Sequence, residues 1–86
     1  MFLHLGKGNM IPVKEIVMIG DLDSSRDSDI TKEFLKISEE EGFIIDYSEG
    51  EPKSFVLTGE TIYMSIISSK TLCKRMNKFI SENGGF

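Results

Sequence analysis

FIIDYSEGEPKSFVLTGETIYMSIISS, residues 43–69, is the stretch from which the fold is read. It predicts three consecutive antiparallel strands running into the cap of a final helix. Phe43, Ile45 and Tyr47 alternate with Ile44, Asp46 and Ser48, the period of a strand with one buried face. Residues 48–53, SEGEPK, interrupt that alternation. Gly50 supplies backbone freedom there, and Pro52 forces Glu51 into an extended conformation. Phe55 and Leu57 resume the pattern with Val56 opposite them. Thr58-Gly59-Glu60 reads as a tight reversal with Gly59 at positive φ. The last strand sets Ile62, Met64 and Ile66 on one face and Thr61, Tyr63 and Ser65 on the other.

Downstream, a helix begins at Ser68, with Ile67 before the cap and Leu72 inside it at the spacing of a hydrophobic staple. Leu72, Met76, Phe79 and Ile80 form its apolar face, and Gly84-Gly85 ends it, leaving 81–86 as a frayed tail. Upstream, a helix from about Ile30 to Glu41 carries the stripe Ile30, Phe34, Leu35 and Ile37. Ser28 or Asp29 is its N-cap and Gly42 its left-handed terminator. Ile16-Val17-Met18-Ile19 is apolar on both faces, which predicts a central strand covered on both sides by helices or by a neighbouring subunit. Residues 2–5 and 10–13 read as a strand and its return around a Gly6-Lys7-Gly8-Asn9 turn, with Pro12 at an edge or a strand end. The expected fold is α+β: a small antiparallel β-sheet with a C-terminal β-hairpin and two short helices packed on it, in one domain over 1–86.

At 86 residues there is room for one core. A chain this short buries roughly 60–65% of its unfolded surface, so its stability alone is modest and oligomerisation is a common remedy. A hydrophobic content of 40% is too high for disorder. A single cysteine excludes an internal disulfide and suits a reducing cytoplasm. The first residues lack the basic region and apolar run of a signal peptide, and no apolar run reaches transmembrane length, so no membrane partner is expected. The net charge of −4 is unevenly placed. Residues 15–60 hold thirteen acids and four bases, whereas 61–86 hold Lys70, Lys74, Arg75 and Lys78 against Glu82 alone. The molecule should therefore have a negative and a positive region.

Chemistry-bearing patterns are sparse. Gly6-x-Gly8 has no third glycine in frame and no Gly-Lys-Ser/Thr, so it is not a phosphate loop. Asp21, Asp23, Ser25, Asp27 and Asp29 have the spacing of calcium-loop ligands, but Arg26 stands where that loop needs glycine and Lys32 where it needs glutamate. The bland reading is a solvated loop whose last acids cap a helix. His4 and Cys73 are the sole histidine and cysteine, and neither sits in a ligand cluster or an evident triad. No metal, cofactor or catalytic residue is expected.

The segments LGKGNMIP, IVMIGDLDS, the helix ending EEEG, and above all EGEPKSFVLTGETIYMSIISSKTLCKR resemble a family of bacterial extracellular matrix regulators, and within it the RemB branch. The likeness runs from Met1 to about Lys78. It implies a cytoplasmic, non-enzymatic protein that promotes transcription of biofilm matrix genes. The sister RemA branch binds DNA as a ring-shaped oligomer of a small β-rich fold, through a basic, arginine-bearing loop before the hairpin. That loop is Ser48–Lys53 here, where Lys53 alone stands for such a base, and Glu15 takes the place of another arginine.

The nucleic-acid contacts expected are Lys7, Lys14, Lys53, Lys70, Lys74, Arg75 and Lys78, with 70, 74 and 78 forming one helical stripe. The partner or subunit contacts expected are Glu39, Glu40, Glu41, Glu49 and Glu51. Two functions follow. One is an oligomeric transcription regulator, a homo-oligomer or ring with direct DNA contact. The alternative is a non-catalytic module that co-assembles with a basic DNA-binding paralogue.

Overall fold

The structure is a computed structural model that describes residues 1–22 and 29–82. The elements are β1 (Phe2–Gly6), β2 (Asn9–Pro12), a 3-10 turn (Val13–Glu15), β3 (Ile16–Asp21), α1 (Asp29–Glu40), β4 (Ile44–Asp46), β5 (Ser54–Thr58), β6 (Ile62–Ser65) and α2 (Ser69–Glu82). The calcium-like residues Asp23, Ser25 and Asp27, the alternative cap Ser28, and the tail from 83 lie outside the described residues.

The α+β class is the one expected, but the sheet is built differently. β1 and β2 form their own two-stranded antiparallel sheet, and the other four strands are ordered β3-β5-β6-β4. The β5–β6 hairpin is antiparallel, pairing Ser54 with Ser65 and Leu57 with Ile62. β4, however, runs parallel to β6 at one edge, with Ile44 opposite Ile62 and Asp46 opposite Met64. The three-strand antiparallel series is thus corrected. The 48–53 loop lets the chain step over β6 instead of folding back beside β4. Tyr47 N–H donates to Met64 O and Ile62 N–H to Phe43 O, extending the parallel ladder at both ends.

β3 lies at the opposite edge, not at the centre, and pairs with β5 alone. A register shift between Ile16 and Met18 turns its apolar run. Ile16 and Ile19 then pack toward the core, while Val17 is 67% and Met18 49% exposed. The centre is β5, in which Phe55 and Val56 are both buried although they point to opposite faces. Val56 joins Leu3, Leu5, Ile11 and Leu72 in the core shared by the two sheets and α2. Tyr63, expected on the polar face, packs against that cluster and stacks on Tyr47 with ring centroids 5.6 Å apart. Phe55 lies over Gly20 across the β3–β5 ladder, where a Cβ would stand 2.1 Å from the ring.

Three turns are set by local chemistry. Lys7 (φ 51°) and Gly8 (φ 79°) are both left-handed, as a type I′ hairpin between Gly6 and Asn9 requires. Gly42 (φ 78°) ends α1 as expected: Phe43 N–H reaches Ser38 O and Gly42 N–H reaches Glu39 O, the two bonds of a Schellman cap. The reversal at 58–61 does not use a left-handed Gly59. Thr58 closes it instead: its Oγ1 donates to Thr61 O at 2.8 Å and accepts from Thr61 N–H at 3.0 Å. With the turn closed by a side chain, no residue there has to adopt positive φ. At the start of α2, Ser68 caps the helix by accepting Thr71 N–H at 3.2 Å.

Candidate nucleic-acid and partner interface

Of the expected base contacts, Lys7 sits at the tip of the β1–β2 hairpin, held in the left-handed region by its turn. Its ammonium is 2.5 Å from Glu49 Oε2. Glu49 is itself left-handed (φ 58°) and is presented by a loop folded around Asp46. The Asp46 carboxylate accepts from the Ser48 hydroxyl, from Ser48 N–H at 2.7 Å and from Gly50 N–H at 3.1 Å. The Ser48 hydroxyl and then its amide hold the Asp46 carboxyl below its ordinary pKa; burial opposes them, and the Gly50 amide adds a still smaller lowering effect. Ser48 is buried, so this knot fixes where Glu49 points. Both partners of the Lys7–Glu49 pair are exposed, and such pairs are worth about 0–1 kcal/mol. A phosphate could therefore displace Glu49 at little cost.

Lys14 is exposed on the 3-10 turn, and Lys53 is exposed where the loop rejoins the sheet through Lys53 N–H to Ser65 O. Lys70, Lys74, Arg75 and Lys78 are all exposed on α2, so the positive region is a real helical surface. Helix α2 packs Leu72, Met76 and Phe79 into the core, which turns the basic residues outward. The acids Glu39, Glu40 and Glu41 are exposed at the end of α1, and Glu49 and Glu51 are exposed on the loop. From the two sets the structure pairs Lys7 with Glu49.

Two exposed apolar patches were not singled out as sites from the sequence. One joins Phe2 and Met10 on the outer face of the β1–β2 sheet, and Val17 and Met18 lie exposed on β3. The other lies on α1 and β4, where Phe34 (44%), Ile37 (48%), Phe43 and Ile45 remain exposed. The expected α1 stripe is thus only partly covered, and Ser38 is more buried than Phe34. The Ser38 hydroxyl is satisfied by Phe34 O at 2.8 Å, which permits that burial.

Cys73 is exposed on α2, whereas His4 lines a depression with Arg75 and Phe79. Among the described residues no group of three or more His, Cys, Asp or Glu is placed to hold a metal ion. No helix among them is long and apolar enough to cross a membrane.

Residues 2–76 match the family model described as RemA-like, extracellular matrix regulatory protein A-like. The chain is also 39% identical over 75 residues to extracellular matrix regulatory protein B of Bacillus subtilis (strain 168), covering 87% of this chain and 89% of that protein. By both measures the chain belongs to the RemA-like family of extracellular matrix regulatory proteins.

Proposed function

We propose that the protein regulates extracellular matrix genes at the level of transcription, in the cytoplasm, as an oligomer that contacts DNA through the outward face of α2. Family membership supplies the biological role. The carrying observation is that Lys70, Lys74, Arg75 and Lys78 all stand exposed on one helix of an otherwise acidic chain. Lys14 and Lys53 add isolated bases, and Lys7 becomes available when a phosphate displaces Glu49. Repetition of one such face around an oligomer would multiply a weak single contact. The uncovered Val17 and Met18 favour assembly, since exposed apolar surface in a small domain is relieved by a second copy. A mobility-shift titration with matrix-gene promoter DNA tests the reading. Binding should fall steeply with salt as condensed counterions are released. A blank titration at low salt refutes direct contact.

A second reading is favoured by the Lys7–Glu49 pair and by the exposed Glu39–Glu41 and Glu51. In it the acidic surface recruits a basic, DNA-binding paralogue, and this chain adjusts that partner's activity. Co-expression and co-purification of the two paralogues separates the readings. A protein that shifts DNA unaided and leaves its paralogue in the flow-through excludes the second.

A further inference from the structure

The outward side of α1 sets apolar and acidic side chains together in a pattern that neither reading uses as a whole. Phe34 and Ile37 on α1, and Phe43 just beyond it, are about half exposed. Phe34 and Phe43 line a depression of about 240 Å³, which Ser38, Leu57, Ile62 and the 58–61 turn complete. Ile62 is buried and Leu57 half-buried, so the depression has an apolar floor. An apolar side chain seated there would take the two phenylalanine rings out of water along with itself.

The charge around these side chains has one sign. On a helix surface the positions next to Ile37 are 33, 34, 40 and 41, three or four residues away. They hold Glu33, Phe34, Glu40 and Glu41, all exposed. Glu41 keeps its helical place, since its N–H donates to Ile37 O at 3.0 Å. Glu60, also exposed, lines the depression from the 58–61 turn. The lysines of α1, Lys32 and Lys36, lie about 100° or more around the helix from both Phe34 and Ile37.

We propose that this surface docks a cationic amphipathic helix of another protein. One apolar side chain of that helix enters the depression, others lie along Phe34 and Ile37, and its lysines or arginines face Glu33, Glu40, Glu41 and Glu60. Helix-in-groove recognition has this form: anchors three or four residues apart give affinity, and the flanking charges set orientation. From Phe34 to Glu41 the surface runs about 10 Å along the axis, the length of about two turns of a partner helix. A second copy of the chain is a poor occupant. Two α1 surfaces brought together would oppose three carboxylates with three. The chain's own basic helix, α2, packs Leu72, Met76 and Phe79 into the core, so its apolar side is already used. The inference stands whether or not the chain touches DNA, and the partner need not be a paralogue.

Fluorescence anisotropy with the purified full chain, at low salt and without DNA, tests it. The probe is a labelled peptide of about 14 residues, about four helical turns, with leucines on one helical face and lysines on the other. Its controls are a scrambled peptide of the same composition and a peptide with glutamate in place of lysine. The amphipathic peptide should saturate, tenfold or more tighter than either control. Phe34→Ala and Ile37→Ala should each weaken it at least fivefold. Glu40→Gln with Glu41→Gln should weaken it and flatten its salt dependence. Lys32→Gln, on the other side of α1, should leave the affinity unchanged. Far-UV circular dichroism of each variant establishes that it is folded. Absence of saturable binding at submillimolar peptide, a scrambled peptide that binds as well, or affinity that survives both Phe34→Ala and Ile37→Ala would each overturn the proposal. A change of oligomeric state in either variant, read by light scattering, would overturn it too, by assigning the surface to a second copy.

Discussion

Ser65 joins the two sheets, and its removal measures how firmly they are joined. β1 carries an irregularity between His4 and Gly6, so Leu5 has no register partner on β2. Its carbonyl accepts instead from the Ser65 hydroxyl at 2.8 Å, and the same oxygen accepts Ile67 N–H at 3.0 Å. Ser65 is fully buried, so water cannot replace either bond without opening the core. Ser65→Ala removes two hydrogen bonds worth about 1 kcal/mol each and strands a buried carbonyl and amide, for a total of roughly 2–4 kcal/mol. A domain of this size has on the order of 4–13 kcal/mol in all, so the loss is at least about a seventh of it. The thermal midpoint should fall by on the order of 10–20 °C. Urea unfolding followed by far-UV circular dichroism, at one fixed protomer concentration, gives the free energy directly. Ser65→Cys, close in size and a weak donor, should fall between the wild type and the alanine variant. A loss below about 0.5 kcal/mol at an unchanged urea slope would refute the account of Ser65 as the tie between sheets.

Gly20→Ala should destabilise by about 1–3 kcal/mol, because the new Cβ meets the Phe55 ring; adding Phe55→Leu should restore part of the loss, and urea midpoints decide it. Leu72→Ala should cost about 2–5 kcal/mol by the same measurement, since Leu72 is fully buried where α2 meets both sheets. Because the folded pKa of Asp46 is depressed, its contribution is present above the unfolded pKa and is lost as pH falls through the folded value. Thermal midpoints of the wild type should therefore fall more steeply below about pH 4 than those of Asp46→Asn, and parallel curves would contradict the assignment. Lys74→Glu with Arg75→Glu should weaken assembly in light scattering, and lysines at 39–41 should partly restore it; an unchanged oligomer rejects this charge contact while leaving assembly by apolar burial intact.

Local features were legible because their causes are local. The Gly42 cap and the Ser68 cap depend on residues a few positions apart, and the hairpin pairs strands joined by one short turn; each appears where the pattern puts it. What failed was long-range order. Alternation at 43–48 tells that a strand forms, but it is silent on which neighbour that strand takes. A parallel β4–β6 pair and an antiparallel β4–β5 pair would show the same period. The apolar run 16–19 misled for a related reason. A strand covered on both faces and an edge strand awaiting a neighbour have the same composition, and the register shift after Ile16 that exposes Val17 leaves no mark in it.

The charged surface was legible as composition and illegible as pairing. Segregation of acids to 15–60 and of bases to α2 follows from counting, and the exposed helix face bears it out. That Lys7 meets Glu49 could not be counted, because it requires two turns, forty-two residues apart, to be placed side by side. The sequence did contain the parts: an Asp46-x-Ser48 pair able to knot the loop, and glycines beside both left-handed residues. The consequence for function is a matter of sign. In the loop before the hairpin, the carboxylate of Glu49 reaches out and neutralises the nearest base, so that surface presents no net positive charge to a polyanion. On the proposed reading, attraction for DNA then rests on the exposed bases of α2. Glu49→Gln separates the contributions: it frees Lys7 without disturbing the Asp46 knot. If the loop takes part in DNA binding, affinity at low salt should rise several-fold and the salt dependence should steepen by about one counterion. If only α2 takes part, both should stay within error of the wild type.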